Sequence, residues 1–542
     1  MIVNNVVYGG PALNVPGHLS YAQYILDKLK ENSAGDDVAL VNGETGVKTT
    51  FKQIYQETVN AANGLKKLGV KRGDVVGICS ENRDEYIAAA LGVVCCGATI
   101  TTFNLMYSKD EFQHVLNISR PNLVICSEVA LKLHHGVLKS QSSIKNIIQL
   151  NGAPLASGIL AFRNILEQSD ASIYEPAEVE GWTDTVFILY SSGTTGLPKG
   201  VMLTHLNALY AAANFEARDT KDDNFSRILS IIPWFHAYGL ISTINYLTTK
   251  KTLIYFSSFN PQKYLGAIPE YKVNVLIAVP PIVVFLAKAP IVEKYDLSSV
   301  NVVWCGAAPL SPETINEALK RMPNCLGIFQ AYGMTETSLA ATQDVSEETA
   351  LPKPGSGGYP LPGVKAKVVD IENRRKLGPN QEGEICLKGP VVMKGYVGDE
   401  AASRQMIDEE GYLKTGDIGY YDADGCFYVV DRLKELIKYK GYQVPPAALE
   451  RVILQHSAVA ECGVVGAPDE VAGELPTAFV VLKPGAKLTE AELLRFTDER
   501  LSSTTRLHGG IIFISEIPKN QSGKILRRAL KALLQEKKKS KL

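Results

Sequence analysis

From about Phe51 to Val430 the chain alternates short β-branched, apolar runs with segments long enough for helices, and this alternation limits its fold more than any other feature. The runs at 75–79, 123–126, 228–232 and 300–304 read as strands. Strands separated by helix-length segments predict α/β layers, with ligands bound at the C-terminal ends of the strands. One unit shows the pattern in full. The strand at 300–304 runs into the small-residue loop Gly306-Ala307-Ala308-Pro309, Ser311 supplies a helix cap, and Pro312 opens the next helix.

A chain of 542 residues is long enough for at least two domains. After Asp431 the character changes. The charged run Asp431-Arg432-Leu433-Lys434-Glu435 follows a hairpin-like Asp422-Ala423-Asp424-Gly425, and the remainder reads as a small unit of its own. Its pattern predicts helices over 446–455, 490–501 and 524–535, and strands near 460–465, 478–482 and 511–514.

Hydrophobic and charged fractions of 46% and 21% fit a soluble globular chain, and a net charge of −1 argues against nucleic-acid binding. Residues 86–108 carry no charge, but the second half of this stretch is rich in threonine. A buried helix over 86–94, a turn at Gly97 and a short strand account for it better than a membrane span. The N-terminus lacks the basic and apolar blocks of a secretory signal. Nine cysteines without paired spacing point to free thiols in a reducing compartment, and the eight histidines form no zinc motif.

The chemistry concentrates in Ser191-Ser192-Gly193-Thr194-Thr195-Gly196-Leu197-Pro198-Lys199-Gly200, which follows an apolar strand over 184–190. Four hydroxyls, three glycines and one lysine in ten positions make a phosphate cradle of bare N–H groups, hydroxyl donors and a cation. It is not a Walker loop, because only two residues separate Gly193 from Gly196 and Gly200 follows Lys199. The run instead resembles the signature loop of the acyl-adenylate-forming (ANL) superfamily, which contains acyl-CoA synthetases, 4-coumarate–CoA ligases and beetle luciferases.

Further runs carry the same resemblance in family order. Gln330-Ala331-Tyr332-Gly333-Met334-Thr335-Glu336-Thr337 is similar to a Tyr-Gly-x-Thr-Glu motif. There Tyr332 would face adenine, Gly333 lets backbone approach the ligand, Thr335 donates to phosphate and Glu336 holds Mg²⁺; a helix-capping turn would use Thr335 in the same way. Gly306, Ala307, Ala308 and Pro309 resemble the loop beside the adenine. Asp417 suits two ribose hydroxyls, and Arg432 matches a second nucleotide contact. The run 431–444 is similar to that of luciferases and coumarate ligases: Lys434 matches the hinge, Lys438 and Gln443 the thioester step, and Gly441 a glycine beside the pantetheine tunnel. Lys524 matches the catalytic lysine and is expected to open the last helix, where its charge opposes the helix dipole. His236, with Tyr238 and Ser242, matches the carboxylate end of the acyl site, Arg218 matches a luciferin-pocket arginine, and Leu339 stands where beetle luciferases carry serine.

The resemblance implies a large multi-layer adenylation domain of α/β subdomains over 1–432 and a small mobile α+β lid over 433–542. It implies an ATP-, Mg²⁺- and CoA-dependent ligase that activates a medium- to long-chain fatty acid through acyl-AMP, with Lys524 acting in adenylation and Lys438 and Gln443 after rotation about Lys434. A luciferase-type oxygenase and a coumarate-like aryl acid ligase are the alternatives. The terminal Ser540-Lys541-Leu542 reads as an address for the peroxisomal import receptor.

Overall fold

The computed structural model describes residues 1–15, 18–167, 174–192, 197–219, 222–308, 310–344, 352–440, 442–520 and 523–539. The peroxisomal address, the Ser192 side chain, Gly193 to Gly196, Pro309 and Gly441 lie outside the described residues.

The expected α/β layering is present as two long sheets. One runs, in spatial order, Gly395–Tyr396, Pro198–Thr204, Thr185–Ser192, Thr99–Phe103, Val75–Cys79, Leu123–Cys126, Asn146–Gln149 and Ile159–Ala161. The other contains the parallel series Gly327–Tyr332, Val302–Cys305, Val275–Ala278, Arg227–Ser230, Thr252–Tyr255 and Val38–Asn42, closed by short antiparallel strands at both edges. One continuous core links the helices between them. The charge-free stretch resolves as read from sequence. The helix Asp84–Cys95 is buried from Tyr86 onwards, Gly97 turns at φ +70°, and the strand Thr99–Phe103 follows. A helix buried on all sides has no need of an amphipathic stripe. Its approach to the helix Phe51–Lys67 is close: a Cβ on Gly92 would lie 2.7 Å from Ala61 Cβ.

A third, antiparallel sheet joins Ile2–Val3, Val6–Tyr8, Lys365–Val369, Gly383–Lys388, Leu413–Tyr421 and Phe427–Arg432. The chain then enters a separate five-stranded sheet at Ile437–Tyr439, in which Gly473–Leu482 pairs with Val459–Asp469 and Ile511–Phe513. This small sheet has its own core around Leu449, Val464 and Leu493. All nine cysteines are free, eight of them buried. Among the described residues no helix is long and apolar enough to cross a membrane.

Two expectations need correction. The apolar strand at 184–190 runs on to Ser192 and returns as the antiparallel strand Pro198–Thr204, so the glycine-rich loop joins two strands and Ser191 faces Lys199 across them. The last helix is Arg527–Lys539, so Lys524 does not open it. The Lys519–Ile525 bridge and the bonds between Asn520 and Lys524 (Lys524 N to Asn520 Oδ1 2.8 Å, Asn520 N to Lys524 O 2.9 Å) keep this segment in a turn.

Two glycine substitutions separate close packing from backbone entropy. A Cβ on Gly239, in the helix Ala237–Thr248, would sit 2.1 Å from the Pro233 carbonyl oxygen, whereas one on Gly136, in the helix Glu128–Lys139, meets nothing within 4 Å. Gly239→Ala should lower stability by about 1–3 kcal/mol by forcing the 232–233 backbone away. Gly136→Ala should raise it by about 0.5–1 kcal/mol. Thermal denaturation of both variants against the parent checks the opposite signs.

Candidate active site

Three groups of residues converge at the C-terminal ends of the parallel strands. In the first, the buried Glu336 accepts hydrogen bonds at Oε1 from Ser191 Oγ (2.8 Å) and Tyr396 Oη (2.9 Å), and its backbone carbonyl accepts from Met393 N (2.9 Å). Lys199 Nζ lies 4.8 Å from the centre of the Tyr396 ring and 3.8 Å from Asp399 Oδ2. The hairpin and the motif at 332–336 are thereby locked together through one carboxylate. Tyr396 and Asp399 were not picked out from the sequence, because neither sits in a local pattern that marks it.

The second group surrounds Asp417, which is 5% exposed. Tyr332 Oη donates to its Oδ2 at 2.8 Å, and Arg432 Nε lies 3.3 Å from its Oδ1. Burial holds this carboxyl above the usual range, against the opposing pull of Arg432, Tyr332 and Lys524. Lys524 belongs to the same cluster. Its ammonium is pushed down to about 8, first by burial and then by the like charge of Arg432, while Glu435 and Asp417 favour the charged form. The helix dipole expected from sequence plays no part. The Lys524 turn is seated on the large domain: Gly523, at φ +77°, would place a Cβ 2.3 Å from Pro281 Cγ on the helix Pro280–Lys288.

The third group is a cavity of about 660 Å³. Arg218, His236, Tyr238, Ser242, Gly306, Gly333 and Leu339 all line it, together with Ala307 and Thr335. His236 precedes the helix Ala237–Thr248, and burial lowers its imidazole to about 4, so it is neutral at pH 7 and can donate only one ring N–H. The positive end of the helix dipole sits beside it. Two wall residues hold left-handed backbone, Ala307 at φ +75° and Leu339 at φ +124°. Such strain is retained where the surroundings over-determine the conformation, as at binding sites. A Cβ on Gly333 would lie 2.2 Å from the Leu339 carbonyl oxygen, so the backbones pack closely here, and Gly333, His236 and Leu339 line the same cavity. Arg218 Nη1 donates to Gln343 Oε1 at 2.9 Å. Gln330, expected at the nucleotide, uses its carboxamide to hold Leu310 N (3.1 Å) and Ser356 O (3.1 Å). Ala308 is half-buried in the same loop and does not line the cavity.

Lys438 and Gln443 are not brought to this site. They face each other across an exposed hairpin of the small sheet, and Lys438 N donates to Glu474 Oε2 at 3.0 Å. Lys434 is exposed in the turn between the sheets, flanked by the bonds Leu433 N to Gly416 O (2.8 Å) and Glu435 N to Arg432 O (2.9 Å). Beyond it Arg527 binds Glu435 Oε2 (2.7 Å), Val464 O (2.8 Å) and Glu450. Sequence reasoning missed this arginine, which acts only through the tertiary arrangement.

Ser191 and Lys199 at facing strand ends, the buried carboxylate of Asp417 and an adjoining cavity form a site of the kind an adenylate-forming enzyme needs. Residues 28–397 match the AMP-binding enzyme family and residues 448–524 the AMP-binding enzyme C-terminal domain, so the chain belongs to the AMP-binding enzymes of the ANL superfamily. It is 38% identical to the luciferin 4-monooxygenase of Nipponoluciola cruciata over 508 residues, covering 92% of each chain. It is also 38% identical to 4-coumarate–CoA ligase 3 of Arabidopsis thaliana over 531 residues, covering 97% of this chain and 93% of that one. The fatty acyl CoA synthetase of Mycobacterium tuberculosis has a similar structure, with a TM-score of 0.72 at 28% identity, covering 95% and 98% of the two chains. The family is that of ATP-dependent, AMP-forming acid–CoA ligases, whose substrates are a carboxylic acid, ATP and CoA.

The position of Lys524 sets a pH dependence. Its protonated form prevails below about pH 8 and is lost as pH rises through that value. If the cation stabilises phosphoryl charge, kcat/KM for ATP in the adenylation half-reaction should fall as pH climbs through about 8. Lys524→Arg, charged throughout, should flatten that limb whatever its absolute rate. An unchanged limb in the arginine variant would assign the titration to another group.

Proposed function

We propose that the chain is an acyl-CoA ligase that activates a medium- to long-chain fatty acid. The observation that carries this reading is the cavity. From the loops at Gly306 and Gly333 it runs between apolar walls that include Ile228, Val275, Val302, Trp304 and Leu339. Such a channel matches an extended alkyl chain whose carboxylate lies at the nucleotide.

Each half-reaction has candidate residues. The substrate carboxylate, oriented by the neutral His236 and the adjoining helix N-terminus, attacks the α-phosphate of ATP, and acyl-AMP and pyrophosphate form. Ser191, Lys199 and Thr335 would bind phosphate oxygens, as would the loop Gly193–Gly196, with Tyr332, Asp417 and Arg432 around the nucleoside. Lys524 meets the negative charge that develops on the phosphoryl and carboxylate oxygens. Among the described residues both hydrogen bonds to the Glu336 side chain reach Oε1, and Oε2 would serve as a carboxylate ligand of the type Mg²⁺ takes alongside phosphate and water. The ion would supply charge neutralisation between phosphates. For the second half-reaction the small domain turns about Lys434, withdraws Lys524 and presents Lys438, Gly441 and Gln443 to CoA. The thiol then attacks the acyl carbonyl and AMP leaves. One face of the small domain cannot serve both steps, which gives the motion its purpose.

A luciferase-type reading is favoured by one observation: Arg218 stands in the cavity wall, as the luciferin resemblance requires. The half-buried Leu339 in the same wall removes a hydroxyl and adds an alkyl contact. AMP release with fatty acids, coumarate and luciferin, run beside photon counting with luciferin, decides among the three. Fatty acid activation should dominate. Leu339→Ser should weaken it and raise light output, and coumarate or luciferin as the preferred acid in the parent would overturn the reading.

The division of labour is tested separately. Lys524→Ala should slow acyl-AMP formation by roughly 10²–10³-fold, with much less effect on thioester formation from supplied acyl-AMP. Lys434→Pro, which fixes φ at the turn, should spare adenylation and abolish CoA transfer. Loss of both steps together in a Lys434→Pro enzyme that keeps its circular dichroism spectrum would count against a rotating small domain.

A further inference from the structure

The far end of the cavity is polar. Its wall follows the strand Arg227–Ser230, and both Ile228 and Ile232 line it. Four residue steps of extended chain place these ends about 13 Å apart. His236 and Gly306 lie at the Ile232 end. At the other end Lys251, the residue before the strand Thr252–Tyr255, pairs with Asp219 at 3.0 Å, and the two side chains are only 7% and 14% exposed. Register fixes this placement, because Thr252 lies beside Arg227.

A second observation comes from the helix His205–Glu216, whose end reaches the same place: the Phe215 ring lies 5.2 Å from that of Tyr246, and the Tyr246 carbonyl accepts from Lys251 N at 2.8 Å. Asn214, 4% exposed and in the cavity wall, donates its Nδ2 to Tyr210 O at 3.0 Å, while its Oδ1 is buried without a hydrogen-bond partner. The bond to a carbonyl identifies the nitrogen, so the orphan atom is an acceptor. A buried carboxamide oxygen left unpaired costs free energy, and an ion pair closed over by a methyl group loses its water without compensation. An alkyl terminus therefore fits this end poorly. A carboxylate terminus could pair with the Lys251 ammonium but has no proton to offer Asn214 Oδ1 and would be repelled by Asp219. A hydroxyl matches, since it donates to one of those oxygens and accepts from the Lys251 ammonium.

We propose that the acid activated here carries a hydroxyl at its distal end, about 13 Å from the carboxylate subsite, and that Asn214, Asp219 and Lys251 select it. This rests on the fatty acid reading and names the kind of fatty acid. The test compares kcat/KM from pyrophosphate release for dodecanoic acid, omega-hydroxydodecanoic acid and dodecanedioic acid, with hexanoic and omega-hydroxyhexanoic acids as a pair too short to reach. The parent enzyme should prefer the long hydroxy acid over dodecanoic acid by at least about tenfold, the value of one well-placed buried hydrogen bond. The short pair should show no preference. In Asn214→Leu and Lys251→Met the long-pair ratio should collapse towards one. Because each ratio is internal to one variant, a general loss of activity leaves it readable. Preference for dodecanoic or dodecanedioic acid in the parent, or a ratio that survives both substitutions, would overturn the proposal. Failure of every fatty acid to release pyrophosphate would instead overturn the fatty acid reading, and this inference with it.

Discussion

The buried carboxylate of Asp417 is the interaction on which the arrangement turns. It sits on the antiparallel sheet, accepts from Tyr332 at the end of a parallel strand, pairs with Arg432 at the last strand before the small sheet, and attracts Lys524 from the final segment. Its position therefore couples two sheets and the final segment. A carboxylate so nearly sealed from water needs its partners, since its burial opposes its charge. Remove either donor and the remaining charge is stranded, so the nucleotide side of the cleft and the seat of the small domain share one electrostatic anchor.

Glu336 performs the same service at the phosphate end on a smaller scale. It ties the returning hairpin to the Thr335–Thr337 turn through Ser191 and Tyr396, while Lys199 lies over the Tyr396 ring. Between these anchors lies the strained backbone at Ala307 and Leu339, held in conformations that neither side chain prefers.

Much of this was legible in the sequence, for a physical reason. Short strands followed by glycine, alanine or hydroxyl-rich loops leave a compositional mark, so the loops at 191–200, 306–309 and 332–336 identified themselves and their neighbours in the fold followed. What stayed hidden acts through tertiary placement alone. Tyr396, Arg527 and Asn214 occupy no motif; each matters because a distant segment is folded against it. The start of the last helix was misjudged because the turn run 518–523 carries no stop signal beyond itself, and the bonds that hold Asn520 to Lys524 depend on the folded turn.

The contact between Gly523 and Pro281 has a mechanical meaning of its own. A bare backbone rests there on a pyrrolidine ring, so at this point no side chain interlocks and no donor or acceptor is shared. Such a face slides and parts with little resistance, yet it permits close approach when something draws the two sides together. The draw is supplied a residue away, by the charges around Lys524. If the small domain turns as proposed, this seat would act as a smooth bearing rather than a latch, and the ionic content of the cleft, more than the fit of the surfaces, would decide how long the domain stays down.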